Sequence, residues 1–301
     1  MKNRITTICI TLLILFTVEI ILRYYFGFCN APLYISDANF EYIAAPNQNG
    51  ERFGNTYNFN SYSQRSKEID SIKIKILGLG DSVIYGGIQS DQDSIATSIF
   101  NEKLDNLQML NISSGSWGPD NCAAYLNKYG IFNAKAMFLL VSSHDAFDNM
   151  DFKQVVGQHL SYPKKQYKIA WSELINRYLY PKIKKLFLKK AILDPDEKAE
   201  KGISKNGKVF NPGFNELYML SKKQQIPLTI YLHAEQSELL QKKYNSQGQI
   251  IIDWATSHNI EIIKELDYNF TKSDYRDKIH LNSKGQKKLS EIMITKYKSM
   301  F

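Results

Sequence analysis

"ILGLGDSVIYGG", residues 76–87, ends an apolar run on Gly-Asp-Ser and then turns rich in glycine. With the residues before it, "IKIKILGLG" (72–80) reads as a β-strand, partly alternating and then apolar. A buried strand can stop on such a turn and need nothing more. Alternatively, the turn holds the Ser82 hydroxyl where a substrate can reach it. A strand-to-helix turn exposes the first helical residues at the C-terminal edge of a sheet and aims backbone N–H groups there. A serine that merely caps a helix gives the same local pattern. The rest of the chain must therefore supply a base, an orienting acid and oxyanion donors before Ser82 reads as a nucleophile.

Outward from that turn, strands alternate with helices. "SIATSIFNEKLDN" (94–106) has apolar residues at helical spacing, and "LQMLNIS" (107–113) reads as a strand. "PDNCAAYLNKYG" (119–130) opens a helix on Pro-Asp and closes it at Gly. "KAMFLLVSS" (135–143) is a continuous apolar strand of the kind buried on both faces of a parallel sheet. "PLTIYLHA" (227–234) and "IEIIKEL" (260–266) are further strands, with helices at 249–258 and 283–299. This order predicts an α/β domain over 71–301, a doubly wound parallel sheet between helical layers. The pattern breaks between about 146 and 212, which includes the amphipathic "IAWSELINRYLYPKIKKLFLKK" (169–190) and a polar stretch with "DPDEKAEKGISKNGK". That length exceeds a connecting loop and reads as an insertion over the C-terminal sheet edge, either a lid or substrate platform or a surface excursion. Residues 26–70 are polar, aromatic and without a sustained period, which reads as an extended lead-in wrapping the domain.

The 301-residue chain is 44% hydrophobic and 23% charged, an ordinary globular composition. Its net charge of +8 raises nucleic acid as a partner, but the lysines are scattered or in short helical patches and no nucleic-acid motif accompanies them. A solvated basic face, compatible with attraction to anionic lipid or polysaccharide, is the better reading. Cys9, Cys29 and Cys122 lack metal-ligand spacing, which excludes a cysteine-based zinc site. The N-terminus, "MKNRITTICITLLILFTVEIILRYY", has a basic tip, an apolar run over 5–22, and Arg23, Tyr24 and Tyr25 as interfacial anchors. Residues 1–25 therefore read as an uncleaved signal anchor forming one transmembrane helix, with a cleaved signal peptide as the other reading. Lys2 and Arg4 favour a cytoplasmic N-terminus, which puts the domain on the periplasmic or extracellular side.

Three more pieces belong with Ser82. In "DYRDKIHLNSKGQ", Asp277 and His280 are three apart just before the last helix. That spacing lets the aspartate hold one imidazole nitrogen while the other faces a serine. None of His144, His159, His233 and His258 has an aspartate three residues before it. "NISSGSWGPDN" (111–121) is a small-residue loop able to present backbone N–H groups to an anion, and "VSSHDAFD" (141–148) follows the central apolar strand. Four loops at the C-terminal ends of parallel strands, each with one component, are what a composite active site on this architecture requires.

In these four blocks the chain resembles the SGNH (GDSL-type) hydrolases, in particular membrane-anchored bacterial members. "GLGDS" matches the block that carries the serine, and "DKIH" the Asp-x-x-His block. "NISSGSWG" resembles the glycine block, with Gly115 as the nearest glycine and Ser116 as the alternative one residue on. The Gly-x-Asn-Asp block reads Ser142-Ser143-His144-Asp145, so His144 stands where asparagine is expected. "NFNSYSQRSKEI" (58–69) is similar to the Asn-Ser-x-Gly-x-Arg stretch ahead of the first strand, with Ser63 at the glycine. The resemblance implies a three-layer α/β/α, flavodoxin-like sheet and a serine esterase with no cofactor and no metal. It further implies Ser82, Asp277 and His280 as the triad, and Ser82, Gly115 and His144 as the oxyanion hole. The substrate would be a small acyl ester or an O-acylated carbohydrate such as a cell-surface glycan. A polysaccharide O-acetyltransferase using the same triad, or a non-catalytic glycan-binding module on the same fold, are the other readings.

Overall fold

The computed structural model describes residues 2–188, 203, 205 and 207–301. Helix α1 spans Lys2–Tyr24. It is long and apolar enough to cross a bilayer, and a signal sequence has the same features. The lead-in is not simply extended: it folds into two antiparallel hairpins. In the first, β1 (Tyr34–Asp37) pairs with β2 (Glu41–Ala44); in the second, β3 (Gln48–Arg52) pairs with β4 (Asn55–Phe59). The second turns on Phe53-Gly54, both at positive φ (53° and 75°), the backbone of a two-residue hairpin loop that matches strand twist.

The main sheet has five strands: β5 (Ile74–Gly80), β6 (Leu107–Ser113), β7 (Ala136–Ser142), β8 (Leu228–His233) and β9 (Glu261–Lys264). They are all parallel, in the order β6-β5-β7-β8-β9. This is the doubly wound sheet expected from the apolar runs. The chain leaves β5 for β6 on one side and returns to β7 on the other, so the crevice at the end of β5 is the switch point where ligands bind in such sheets.

Strand alternation divides the core between two layers. Leu77, Leu79, Leu110, Ile112, Leu139 and Val141 face one side, against α4 (Pro119–Tyr129), α7 (Gly213–Gln224) and α9 (Ser246–Ser257). Ile76, Met109, Phe138, Leu140 and Tyr231 face the other, against α3 (Ala96–Lys103) and α10 (Ser283–Lys298). Burial on both faces explains why β6, β7 and β8 are buried at every position.

The region read as an insertion contains a helical run: α5 (Ala170–Glu173), a π-helical stretch (Leu174–Leu179) and α6 (Tyr180–Leu188). Most of "DPDEKAEKGISKNGK" lies outside the described residues. Two buried ion pairs join this region to the lead-in. Arg52 on β3 pairs with Glu173 at 2.5 Å, and Lys205 pairs with Glu41 on β2. Glu41 also accepts the N–H groups of Asp151 and Phe152. Removing one partner of a buried pair strands a charge, so the lead-in and the insertion hold each other in place.

Candidate active site

β5 ends on Gly80 at φ +154°, where a Cβ would lie 2.5 Å from the Leu140 carbonyl oxygen on β7. Only glycine lets the strand end so close to its neighbour, which accounts for the glycine directly before Asp-Ser. Asp81 then caps a four-residue helix, α2 (Ser82–Tyr85), accepting the Val83 N–H at 2.8 Å. Arg65, fully buried, fixes the far end by donating to the carbonyls of Tyr85, Gly87 and Ser90 at 2.6–2.8 Å. It belongs to the "NSYSQRS" stretch singled out in the sequence.

Ser82 Oγ lies 3.0 Å from His280 Nε2, and His280 Nδ1 lies 2.8 Å from Asp277 Oδ2. The loop itself forces this arrangement, because Asp277 Oδ1 also accepts the N–H groups of Ile279 (3.0 Å) and His280 (2.8 Å). Burial pushes the Asp277 carboxyl up, but the His280 ring and these two N–H groups outweigh it and hold the pKa well below the usual range. An ionised Asp277 makes Nδ1 the protonated nitrogen, leaving Nε2 free to accept from Ser82. The relay is open to solvent: 28% of the His280 side chain and 48% of Asp277 are exposed.

The next loop, after β6, forms a turn in which Trp117 N–H reaches the Ser114 carbonyl at 3.4 Å. Ser116 has φ +58°, a conformation that favours glycine. Gly115 is needed for a different reason, since a Cβ there would meet the Tyr162 hydroxyl at 2.5 Å. The hydroxyls of Tyr42, from the lead-in, and Tyr162, from the insertion, both donate to the Gly115 carbonyl at 2.9 Å. A trans peptide points the Ser116 N–H the opposite way. Among the described residues the N–H groups of Ser82, Gly115 and Ser116 have no protein acceptor. Both tyrosines lie far from the motifs in sequence, and nothing local marks them.

After β7, His144 Nδ1 bonds Glu235 Oε1 at 3.0 Å, and its Nε2 lies 4.0 Å from Asp145 Oδ1. Burial pulls the His144 pKa down, but Asp145, Glu235, Asp81 and Asp148 outweigh it and raise it to about 10. These carboxylates favour the protonated ring, in which both nitrogens are donors. Burial, with Asp81 and Asp120 adding to it, raises Asp148 to about 6 against the opposing pull of His144 and Lys205. Burial also raises Asp145 well above its ordinary value. Ligand atoms of Asp81, His144 and Asp145 lie within 4.8 Å of one another and are the described group able to hold a cation. Sequence spacing missed this group because Asp81 arrives from a different loop. Glu235 was missed for the same reason: it enters from the end of β8, the strand beside β7, as the cap of α8 (Gln236–Gln241).

One further residue supports the relay from behind. His233, at the end of β8 and fully buried, bonds Glu265 Oε2 through Nδ1 and the Ile279 carbonyl through Nε2, both at 2.7 Å. Ile279 directly precedes His280. Tyr231 and Tyr275 also donate to Glu265. Burial lowers the His233 pKa, but Glu265 and the Ile279 carbonyl outweigh it and raise it. A raised pKa adds stability that is fully present below the unfolded value of about 6.5 and is lost as pH climbs through the folded value. His233→Gln should therefore flatten the alkaline fall in the melting temperature. It should also lower the kcat of any reaction in which His280 activates Ser82, by about a hundredfold, through misplacement of the ring. An unchanged kcat and an unchanged pH–stability curve would remove His233 from this role.

No family model matches the chain, and no curated protein matches it by sequence. Among solved structures, the chain is similar to a member of the lipolytic protein G-D-S-L family from Veillonella parvula DSM 2008. The identity is 13%, over 74% of this chain and 97% of that one, with a TM-score of 0.41. A psychrotrophic esterase from Pseudoalteromonas sp. is 13% identical over 75% and 97% of the two chains, with a TM-score of 0.39. A two-domain esterase active on acetylated mannans is 8% identical over 75% of this chain and 49% of its own, with a TM-score of 0.40. Identity this low leaves the chemistry of the site to rest on its own geometry.

Proposed function

We propose that the chain is a membrane-anchored serine esterase of the SGNH type that removes a short acyl group from an O-acylated carbohydrate. The observation that carries this reading is the unbroken contact from Ser82 Oγ to His280 Nε2 (3.0 Å) and from Nδ1 to Asp277 (2.8 Å), at the switch point of the sheet. His280 takes the Ser82 proton as Oγ attacks the ester carbonyl, and Asp277 stabilises the imidazolium that forms. The developing oxyanion is met by the Ser82 and Gly115 N–H groups and by the His144 ring. His280 returns the proton to the leaving alkoxide. Water, deprotonated by the same ring, then releases the acid and restores Ser82.

The open position of the relay supports a small acyl group carried on a large leaving group. The half-exposed Asp277 and the partly exposed His280 leave room for a polymer to lie across the site. The domain is read as facing away from the cytoplasm because Lys2 and Arg4 precede the apolar helix. A fluorophosphonate probe should label the full chain at Ser82 and nowhere else, with loss of labelling after pre-incubation with a short-chain aryl ester phosphonate. Labelling elsewhere, or none, would overturn the assignment of the nucleophile. Adding a sugar acceptor and analysing the products separates hydrolysis from transfer of the acyl group to a sugar hydroxyl.

A further inference from the structure

Glu19 lies within the apolar part of α1, near its outer end, where an unpaired carboxylate is costly. It is fully engaged. Arg23 Nε bonds it at 2.6 Å, and it accepts the backbone N–H groups of Ala170 (2.8 Å) and Trp171 (3.1 Å) at the start of α5. The Trp171 indole N–H donates to the Leu15 carbonyl at 3.1 Å, and Arg23 also donates to the Lys168 carbonyl. Val18 and Leu22 of α1 pack with Ala170, Trp171, Leu174 and Tyr178. The helical run therefore begins alongside the last two turns of the apolar helix, at the level where Glu19 needs its donors.

Beyond that contact the run has two unlike faces. Glu173 is buried with Arg52 and Arg177, on the side of the domain. Ile175, Leu179, Tyr180 and Ile183 are 42–59% exposed, and 175, 179 and 183 recur every four residues along one row. Exposed Lys182 and Lys184 flank Ile183, and Lys164, Lys165 and Lys168 are exposed just before the run. Apolar side chains on an outward face, with lysines beside them and a tryptophan at the start, are the chemistry of a helix lying in the headgroup region of an anionic bilayer.

We propose that the helical run 170–188 is a membrane-docking element that lies in the outer lipid–water interface and holds the catalytic domain against the bilayer beside its anchor. The proposal rests on reading α1 as a membrane span. Continuity with α1 argues for lipid rather than another protein: the exposed row starts where the span ends, so any bilayer around α1 reaches it. It also gives the insertion a task that its distance from Ser82 in sequence does not suggest.

The test uses the full chain with Cys9→Ser and Cys29→Ser, reconstituted at one copy per nanodisc in a mixture of phosphatidylglycerol and phosphatidylcholine. Nitroxide labels are placed singly at Leu179→Cys, Ile183→Cys, Leu13→Cys and Ile72→Cys. Ile72 is 91% exposed on the catalytic domain, and Leu13 lies in mid-span. Labels at 179 and 183 should be open to oxygen and shielded from a nickel chelate, at a depth of about 5–10 Å, with 13 deeper and 72 fully aqueous. If 13 is deep while 179 and 183 are as open to nickel as 72, the docking helix is wrong and the anchor stands. If 13 is itself aqueous, the anchor reading and the docking helix both fall. If 179 and 183 are shielded from oxygen as well as nickel, protein covers them and lipid does not. Shielding that appears only with two copies per disc would assign the row to a second copy of the chain.

Discussion

Ser82→Ala should lower kcat for a short-chain aryl ester by on the order of 10⁴-fold or more, because the covalent step is lost and only oxyanion and binding groups remain. His280→Ala should cost about as much. In the proposed mechanism the two act as one unit across a 3.0 Å contact, so the double variant should be scarcely worse than either single one. Asp277→Asn removes no reacting atom. It replaces one of the acceptor oxygens that hold the His280 ring and loop N–H groups, so it should keep more activity than the other two. Melting temperatures of Ser82→Ala and wild type should agree, since Ser82 and its proposed partner His280 are both only half-buried. A Ser82→Ala variant at wild-type rate would end the nucleophile assignment, and additive losses in the double variant would mean that the residues do not work together.

Much of this relay was legible in the sequence because its parts are local. Asp277 and His280 are three residues apart, and the turn that unites them is made by Asp277's own bonds to the next two N–H groups. Ser82 is marked by the strand it follows, and the apolar runs of β5, β6 and β7 are long enough to declare a buried parallel sheet. The two hairpins of the lead-in were not legible. Their strands have four or five residues, and the second turns on Phe53-Gly54 where Asn-Gly would have announced it. The helix α7 also went unassigned, since it directly follows the region in which the pattern breaks. Supporting groups escaped for a further reason. Glu235 and His233 reach the site from the end of β8, which the sheet order sets beside β7, while Tyr42 and Tyr162 come from the lead-in and the insertion, which only tertiary packing brings there. A motif records what one loop contributes, while the groups that support it depend on which distant segments the fold packs around it.

His144 is where the local pattern departs from the family resemblance, and its environment gives the departure a physical meaning. An asparagine donates through a neutral amide. Here Asp145, Glu235, Asp81 and Asp148 raise the imidazole pKa to about 10 despite burial, which favours a protonated, cationic donor. Glu235 accepts a hydrogen bond from Nδ1–H, which fixes the ring and leaves Nε2 to donate elsewhere. His144→Ala should lower kcat by about 10²–10³-fold with little change in KM, the cost of one oxyanion donor. His144→Asn should retain most of the activity, since its amide N–H₂ donates from a similar position without the charge. Glu235→Gln should fall between wild type and His144→Ala, because the ring loses its anchor and keeps its donor. The neighbouring carboxylates make a second outcome measurable. If a cation held by Asp81, His144 and Asp145 polarised the carbonyl instead, exhaustive chelation would abolish activity and His144→Asn would fare no better than His144→Ala. Donation by the ring itself predicts that chelation leaves single-turnover acylation of Ser82 unchanged. Equal acylation rates in the Ala, Asn and His forms would take residue 144 out of the oxyanion hole altogether.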